Sequence, residues 1–233
     1  MRKSKWVTIK FLISTPSQQK KADGGGRIET TGKYVGVFKH AEFVTAKSGA
    51  QGIEFHFVAS DESTATFTLW TQNKNGETIY GYDKVNAILT CAKVRTLTPT
   101  DRTLEKYDYD AGGKVNKPCV VAPELDNKPI GLLLQRENYQ NDNGESRYQI
   151  NFYAAFEAQT EFMAAEIWEK STKPVALEKV LNRLISIGDA HRKPKNNQTS
   201  NSYQQSAGNY QNAGATNQPP KGHPADLDDD LPF

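Results

Sequence analysis

The sequence predicts a mainly β protein with a few helices, and three observations predict it. Five β-rich segments, most of them alternating apolar with polar residues, fill the first two thirds of the chain. The spacing becomes helical once between the third and fourth of these segments, and twice more after the fifth. From Ala190 onward Asn, Gln, Ser, Gly and Pro dominate, with no Leu, Ile or Val before Leu227. A stretch of that composition cannot bury enough apolar surface to offset its chain entropy.

The elements follow in order. "KWVTIKFLI" (5–13) reads as an added N-terminal strand. "ADGGGR" (22–27) lacks the Lys-Ser/Thr of a phosphate loop and reads as a mobile connection. "TGKYVGVFKHAEFVTA" (31–46) is β-rich, and "SGAQG" (48–52) is a turn signal. In "IEFHFVAS" (53–60), Ile53, Phe55 and Phe57 point one way, and Glu54 and His56 the other. After a turn at "DES", "TATFTLWT" (64–71) puts Phe67 and Leu69 on one face and Thr66, Thr68 and Trp70 on the other. "NKNGE" (73–77) turns the chain again.

Residues 82–94 then carry Val85, Ile88, Leu89 and Ala92 on one helical stripe, with Asp83 in the first turn and Pro99 beyond the end. Residues 95–127 read as irregular, with "DAGGK" and the tyrosines Tyr107 and Tyr109. "KPIGLLLQRENY" (128–139) returns to strand, and "QNDNGE" (140–145) holds the Asn-Gly of a hairpin. In 146–156, Tyr148, Ile150 and Phe152 share one face, and Arg147, Gln149, Asn151 and Tyr153 the other. Helices are expected over 158–170, with Phe162, Met163, Ile167 and Trp168, and over 174–187. The stripe of the last is Leu177, Val180, Leu181, Leu184 and Ile185, with Pro174 in its first turn and Gly188 at its C-cap.

Three strands, a helix and two strands is the order of the five-stranded OB barrel. About 30 residues join its helix to its fourth strand, more than connections in compact domains favour, so an insertion with its own short hairpin is expected there. A β-sandwich with different wiring is the alternative fold. The chain divides into a folded domain with C-terminal helices (1–189), a disordered linker (190–225) and an acidic tip (226–233).

The net charge of +2 gives no global basic signal. Its distribution is more informative. Residues 190–225 hold Arg192, Lys193, Lys195 and Lys221 and no acid, whereas the last eight residues hold four aspartates. Cys91 and Cys119 have neither metal-ligand nor redox spacing, which fits a reduced cytoplasm. No segment has the length of a membrane span, and "FLI" is too short for a signal-peptide core. No catalytic constellation stands out. The four histidines (His40, His56, His191 and His223) and the cysteines form no zinc motif. Neither an enzyme, nor a cofactor, nor a metal site is expected.

The polar strand faces carry the functional signal. Trp70 and Tyr153 lie opposite the apolar faces of their strands, Tyr139 ends its strand beside the Asn-Gly turn, and Arg147 shares the face of Tyr153. Tyr34 and Phe38, with Lys33 and Lys39, add weaker candidates on the first strand. Exposed rings interleaved with cations suit single-stranded nucleic acid: bases stack on the rings and cations track the phosphates. The alternative is that these rings pack beneath the C-terminal helices or the 95–127 insertion.

The chain ends in "DLDDDLPF". Asp226, Asp228, Asp229 and Asp230 belong in water, while Leu227, Leu231, Pro232 and Phe233 favour burial in a partner. A β-rich body, a Gln/Asn/Gly/Pro linker and this tip together resemble the bacterial-type single-stranded DNA-binding proteins, in a divergent phage- or plasmid-encoded form. Leu231 stands where that family more usually has isoleucine. The resemblance implies an OB domain on single-stranded DNA in a bacterial host, associated with the nucleoid. It also implies a tip that docks on replication, recombination and repair proteins, and possible homo-oligomers of the chain. A strand-annealing recombination protein, a DNA-processing nuclease and a scaffold that uses the tip without touching DNA are the rival functions. A partner would take the Phe233 ring in an apolar pocket and its carboxylate on an Arg or Lys, with the aspartates meeting a basic rim.

Overall fold

The computed structural model describes residues 25–108 and 110–192. The N-terminal strand expected at 5–13, half of the glycine-rich loop, most of the linker and the whole tip lie outside the described residues.

A single eight-stranded sheet organises the fold. β1 (Gly32–Thr45), β2 (Gln51–Ala59) and β3 (Thr64–Gln72) form an antiparallel meander. Helix α1 (Gly81–Cys91) follows, then the hairpin of β4 (Thr100–Asp108) and β5 (Gly113–Val121). The chain returns through a short 3-10 turn (Pro123–Leu125) to the hairpin of β6 (Pro129–Gln140) and β7 (Ser146–Phe156). Helices α2 (Ala164–Trp168) and α3 (Ala176–Ile187) precede β8 (Ala190–His191). β8 pairs in parallel with β6 at Glu137 and Asn138, so ordered structure runs past the expected boundary at 189.

β1 is the shared strand. β2 lines one of its edges, while the other is divided: residues 32–37 pair with β6, and Glu42 pairs with Val121 of β5. Among the described residues hydrogen bonds do not close the sheet, because β3 pairs only with β2 and β7 only with β6. α1 packs against both β3 and β7 and buries Val85, Ile88 and Cys91. Phe67 of β3 stacks on Phe152 of β7 with centroids 5.7 Å apart, so side chains bridge the edges that the backbone leaves unpaired.

Burial follows the alternation read from the sequence. Ile53, Phe55, Phe57, Phe67, Leu69, Ile150 and Phe152 all lie in the main core. The apolar run of β6 has its own reason: both faces of the strand are covered. Leu132 and Leu134 face the main core, whereas Leu133 enters a smaller one with Phe156, Leu177 and Leu184 beneath α3.

The segment read as irregular holds the β4–β5 hairpin, nine residues on each strand, so the long connection does contain a hairpin. One face of the hairpin turns inward, with Arg102 donating to Asp126 at 2.6 Å and Lys106 paired with Glu42. The helix expected over 158–170 is shorter. Residues before Ala164 form a turn, and Trp168 is 78% exposed rather than part of an apolar stripe. Ile185 is likewise exposed, while Leu177 and Leu184 carry the buried face of α3. Gly188 ends α3 at φ 70°, a conformation that favours glycine.

Buried Glu166 ties the two C-terminal helices together. Its carboxylate accepts from the backbone N–H of Met163 (3.0 Å), Val175 (2.8 Å) and Ala176 (2.8 Å). Burial works against its charge, but the three donors outweigh it and hold the carboxyl below its ordinary pKa of 4.5. Its stabilisation is therefore full above pH 4.5 and falls as pH drops through the lowered folded-state value. Glu166→Ala strands these donors and should cost on the order of 1–3 kcal/mol per unsatisfied group. Thermal unfolding monitored by circular dichroism should show the loss, and Glu166→Gln should flatten the dependence of stability on acid pH.

Candidate nucleic-acid interface

The free end of the β6–β7 hairpin carries the site. Asn141 locks the turn by accepting from the backbone N–H of Asn143 (3.1 Å) and Glu145 (2.8 Å). β8 returns along β6 at this end, beyond the start of β1, and brings His191 and Arg192 beside it. The cleft so formed has a volume of about 490 Å³ and is lined by Arg136, Asn138, Tyr139, Gln140, Ser146, Arg147, Tyr148, His191 and Arg192.

Cations and rings alternate in this cleft. The guanidinium of Arg136 lies 4.6 Å from the centroid of Tyr148, and that of Arg27 lies 5.1 Å from it. Arg192 stands 5.2 Å from the centroid of Tyr139. Such contacts contribute about 0.5–1 kcal/mol at exposed sites and pre-orient the guanidinium planes over the rings. Burial, with the charge of Glu29 nearby, raises the pKa of Tyr148, so its phenol is neutral and remains a donor at physiological pH.

Carboxylates accompany the three arginines that line the cleft. Arg147 donates to Glu145 at 2.6 Å, Arg192 to Glu137 at 2.8 Å, and Arg136 lies 3.9 Å from Asp189. Burial opposes the charge of Glu137, but Arg192, Asn151 and Gln149 overcome it and hold its pKa below the usual value. Exposed pairs of this kind contribute about 0–1 kcal/mol. A phosphate can therefore compete with Glu145 or Asp189 for their arginines at small cost.

Of the eight predicted DNA-contact residues, the structure gathers two, Tyr139 and Arg147, into this cleft. Trp70 lies on the outer face of β3 as alternation requires, half-buried over Gly52, where an added Cβ would come 2.9 Å from its ring. Tyr153 is half-buried and packs against the smaller core beneath α3. Phe38 is wholly buried, with its ring 5.1 Å from that of Phe55 and 6.1 Å from that of Phe57. A base cannot reach it, because Phe38 follows Tyr34 on the face of β1 that enters the core; the bulge comes after it and flips His40 and Glu42 outward instead. Tyr34 packs against the main core and donates to the Thr30 carbonyl at 2.8 Å. Lys33 pairs with Glu161 and sits 5.2 Å from the Phe156 ring, and Lys39 is exposed at the bulge.

Sequence reasoning missed Arg27, Arg136, Tyr148, His191 and Arg192. Tyr148 falls on the apolar face of β7 by period, but at the strand's end that face opens to the arginines. His191 and Arg192 belong to the segment read as linker, and only their pairing with β6 reveals them.

No protein-family model matches the chain, and no curated protein matches it. No helix among the described residues is long and apolar enough to cross a membrane.

Replacing Phe38 separates packing from contact with a ligand. Phe38→Ala should lower stability by about 3–5 kcal/mol in urea unfolding, as large-to-small changes do in a closed core. Oligonucleotide affinity per folded molecule should stay the same.

Proposed function

We propose that the protein binds single-stranded DNA without chemically altering it, and that its C-terminal tip recruits partner proteins. The observation that carries the reading is the cleft at the end of β6–β7, where Tyr139 and Tyr148 are interleaved with Arg136, Arg147 and Arg192. Rings accept the faces of unstacked bases of any sequence, and guanidinium groups accept phosphates or stack in turn. Duplex DNA offers no free base face. The alternation therefore favours single strands.

The fold reading that accompanies this is an OB barrel opened between β3 and β7, with the β4–β5 hairpin as its insertion. In its favour, β1, β2, β3, α1, β6 and β7 follow the order of that fold, and β6 pairs antiparallel with both β1 and β7. α1 lies across the opening. The tip, residues 226–233, supports partner recruitment by its sequence: a run of aspartates before a terminal Leu-Pro-Phe has the features of a docking peptide rather than of a solubilising end. Such a protein coats strands exposed in DNA replication, recombination or repair and brings other proteins to them.

Fluorescence anisotropy with labelled single- and double-stranded oligonucleotides tests this reading. Single strands should bind tighter. Tyr148→Ala and Tyr139→Ala should each weaken binding by about 5- to 150-fold, the equivalent of ~1–3 kcal/mol per stacked base. The salt slope should be modest, because carboxylates already accompany the arginines, and single strands release only about 0.7 counterions per neutralised phosphate. Equal affinity for duplex would overturn the stacking model. Incubation with Mg²⁺ or Mn²⁺ should leave the strand uncut, and strand cleavage would favour the nuclease rival.

Deleting residues 226–233 should keep or raise DNA affinity and abolish capture of replication and repair proteins from host extract. Phe233→Ala should account for much of that loss. Unchanged capture by both variants would reduce the tip to a charged end.

A further inference from the structure

The register of β1 on β2 sets His40 opposite His56 and Glu42 opposite Glu54. Because side chains alternate along a strand, these four share one face, opposite to the one on which Ile53, Phe55 and Phe57 enter the core. The two imidazoles stack with centroids 4.0 Å apart and planes inclined at 28°. The ligating atoms of His40, Glu42 and His56 all lie within 4.8 Å of one another. Among the described residues, Nε2 of His40 is buried and has no hydrogen-bond partner, a costly state for a polar atom.

The surroundings resemble a second layer around a metal. Glu54 holds Nε2 of His56 at 2.9 Å, which leaves Nδ1, now 3.2 Å from the exposed Thr66 hydroxyl, as the nitrogen that would turn from Thr66 to a metal. A carboxylate that fixes the orientation of an imidazole is the usual companion of a ligating histidine. Glu42 is buried and paired with Lys106, whose ammonium arrives from the β4–β5 hairpin. A cation is thus already drawn to this place.

We propose that His40, Glu42 and His56 form a binding site for a divalent transition-metal ion, zinc in first place, with Glu54 orienting His56 and Lys106 competing for Glu42. Two imidazoles and one carboxylate are a donor set for zinc, and a poor one for calcium or magnesium, which take oxygen ligands. Tetrahedral zinc at 2.0–2.1 Å from its ligands sets them about 3.3 Å apart. The three atoms therefore need to close by about 1.5 Å at most, a movement within reach of side-chain rotation. Three protein ligands leave a fourth position for water. The site lies on the second half of β1, away from the β6–β7 cleft at the strand's other end, so it goes beyond the nucleic-acid reading and is tested without DNA.

The test is calorimetric titration of the full chain with zinc chloride, with cobalt(II) absorption as a second measurement. Wild type should take up one zinc per chain at this site, and the cobalt form should show visible bands of a low-coordinate nitrogen and oxygen site. His40→Gln and His56→Gln, confirmed as folded by circular dichroism, should each weaken zinc binding at least tenfold and abolish the cobalt bands. Lys106→Met should tighten binding several-fold by removing the competing ammonium. Zinc uptake that is absent at millimolar metal would overturn the proposal. So would uptake equal in wild type and the His40→Gln/His56→Gln double variant, since the metal would then sit elsewhere on the chain.

Discussion

A row of four phenyl rings holds the sheet together where its hydrogen bonds stop. Phe38 of β1 meets Phe55 of β2 at 5.1 Å, Phe55 meets Phe67 of β3 at 5.3 Å, and Phe67 meets Phe152 of β7 at 5.7 Å. The last contact joins two strands that share no ladder. Each ring removes a large apolar area from water, and offset or tilted pairs add about 0.5–1.5 kcal/mol beyond that area. The row therefore fixes the curl of the sheet, and α1 seals the gap that the curl leaves. Everything at the ends of β6 and β7 takes its position from this closure.

β1 translates that closure into two separate surfaces. Its first half pairs with β6 and leaves the far end of the β6–β7 hairpin projecting beyond it, where Tyr139 and Tyr148 meet their arginines. Its second half carries His40 and Glu42 outward beneath the β4–β5 hairpin. The bulge between Phe38 and His40 makes this division possible. It resets the alternation after Phe38, so that His40 and Glu42 share the outer face.

Period-two alternation made the meander legible, and Phe55, Phe57, Phe67 and Leu69 are buried as it requires. The stripe of α1 and the C-cap at Gly188 follow from local rules too. The β4–β5 hairpin was legible only as a connection too long for a loop, since its strands carry few apolar residues and expose one whole face. The cleft was half legible. Tyr139 and Arg147 stand beside an Asn-Gly turn that announces itself, but Arg27 and Arg192 reach it from far along the chain. The histidine pair was not legible at all, because His40 and His56 become neighbours only through a strand register that the bulge offsets by one residue. The arginines from afar and the histidine pair depend on how separate segments are set against one another, which periodicity within one segment does not encode.

The β4–β5 hairpin also bears on how the chain reaches this fold. β1, β2 and β3 pair across short turns, and so do β4 with β5 and β6 with β7. The pairing of Gly32 with Leu134 instead joins residues separated by most of the domain. Closing so large a loop is slow, because ordering precedes the contacts that reward it. Its entropic cost, however, grows only with the logarithm of the length that remains unstructured. A β4–β5 ribbon that zips up early removes its own residues from that length. A β4–β5 hairpin formed early would thus shorten the search by bringing the start of β6 toward β1 through the pairing of Val121 with Glu42.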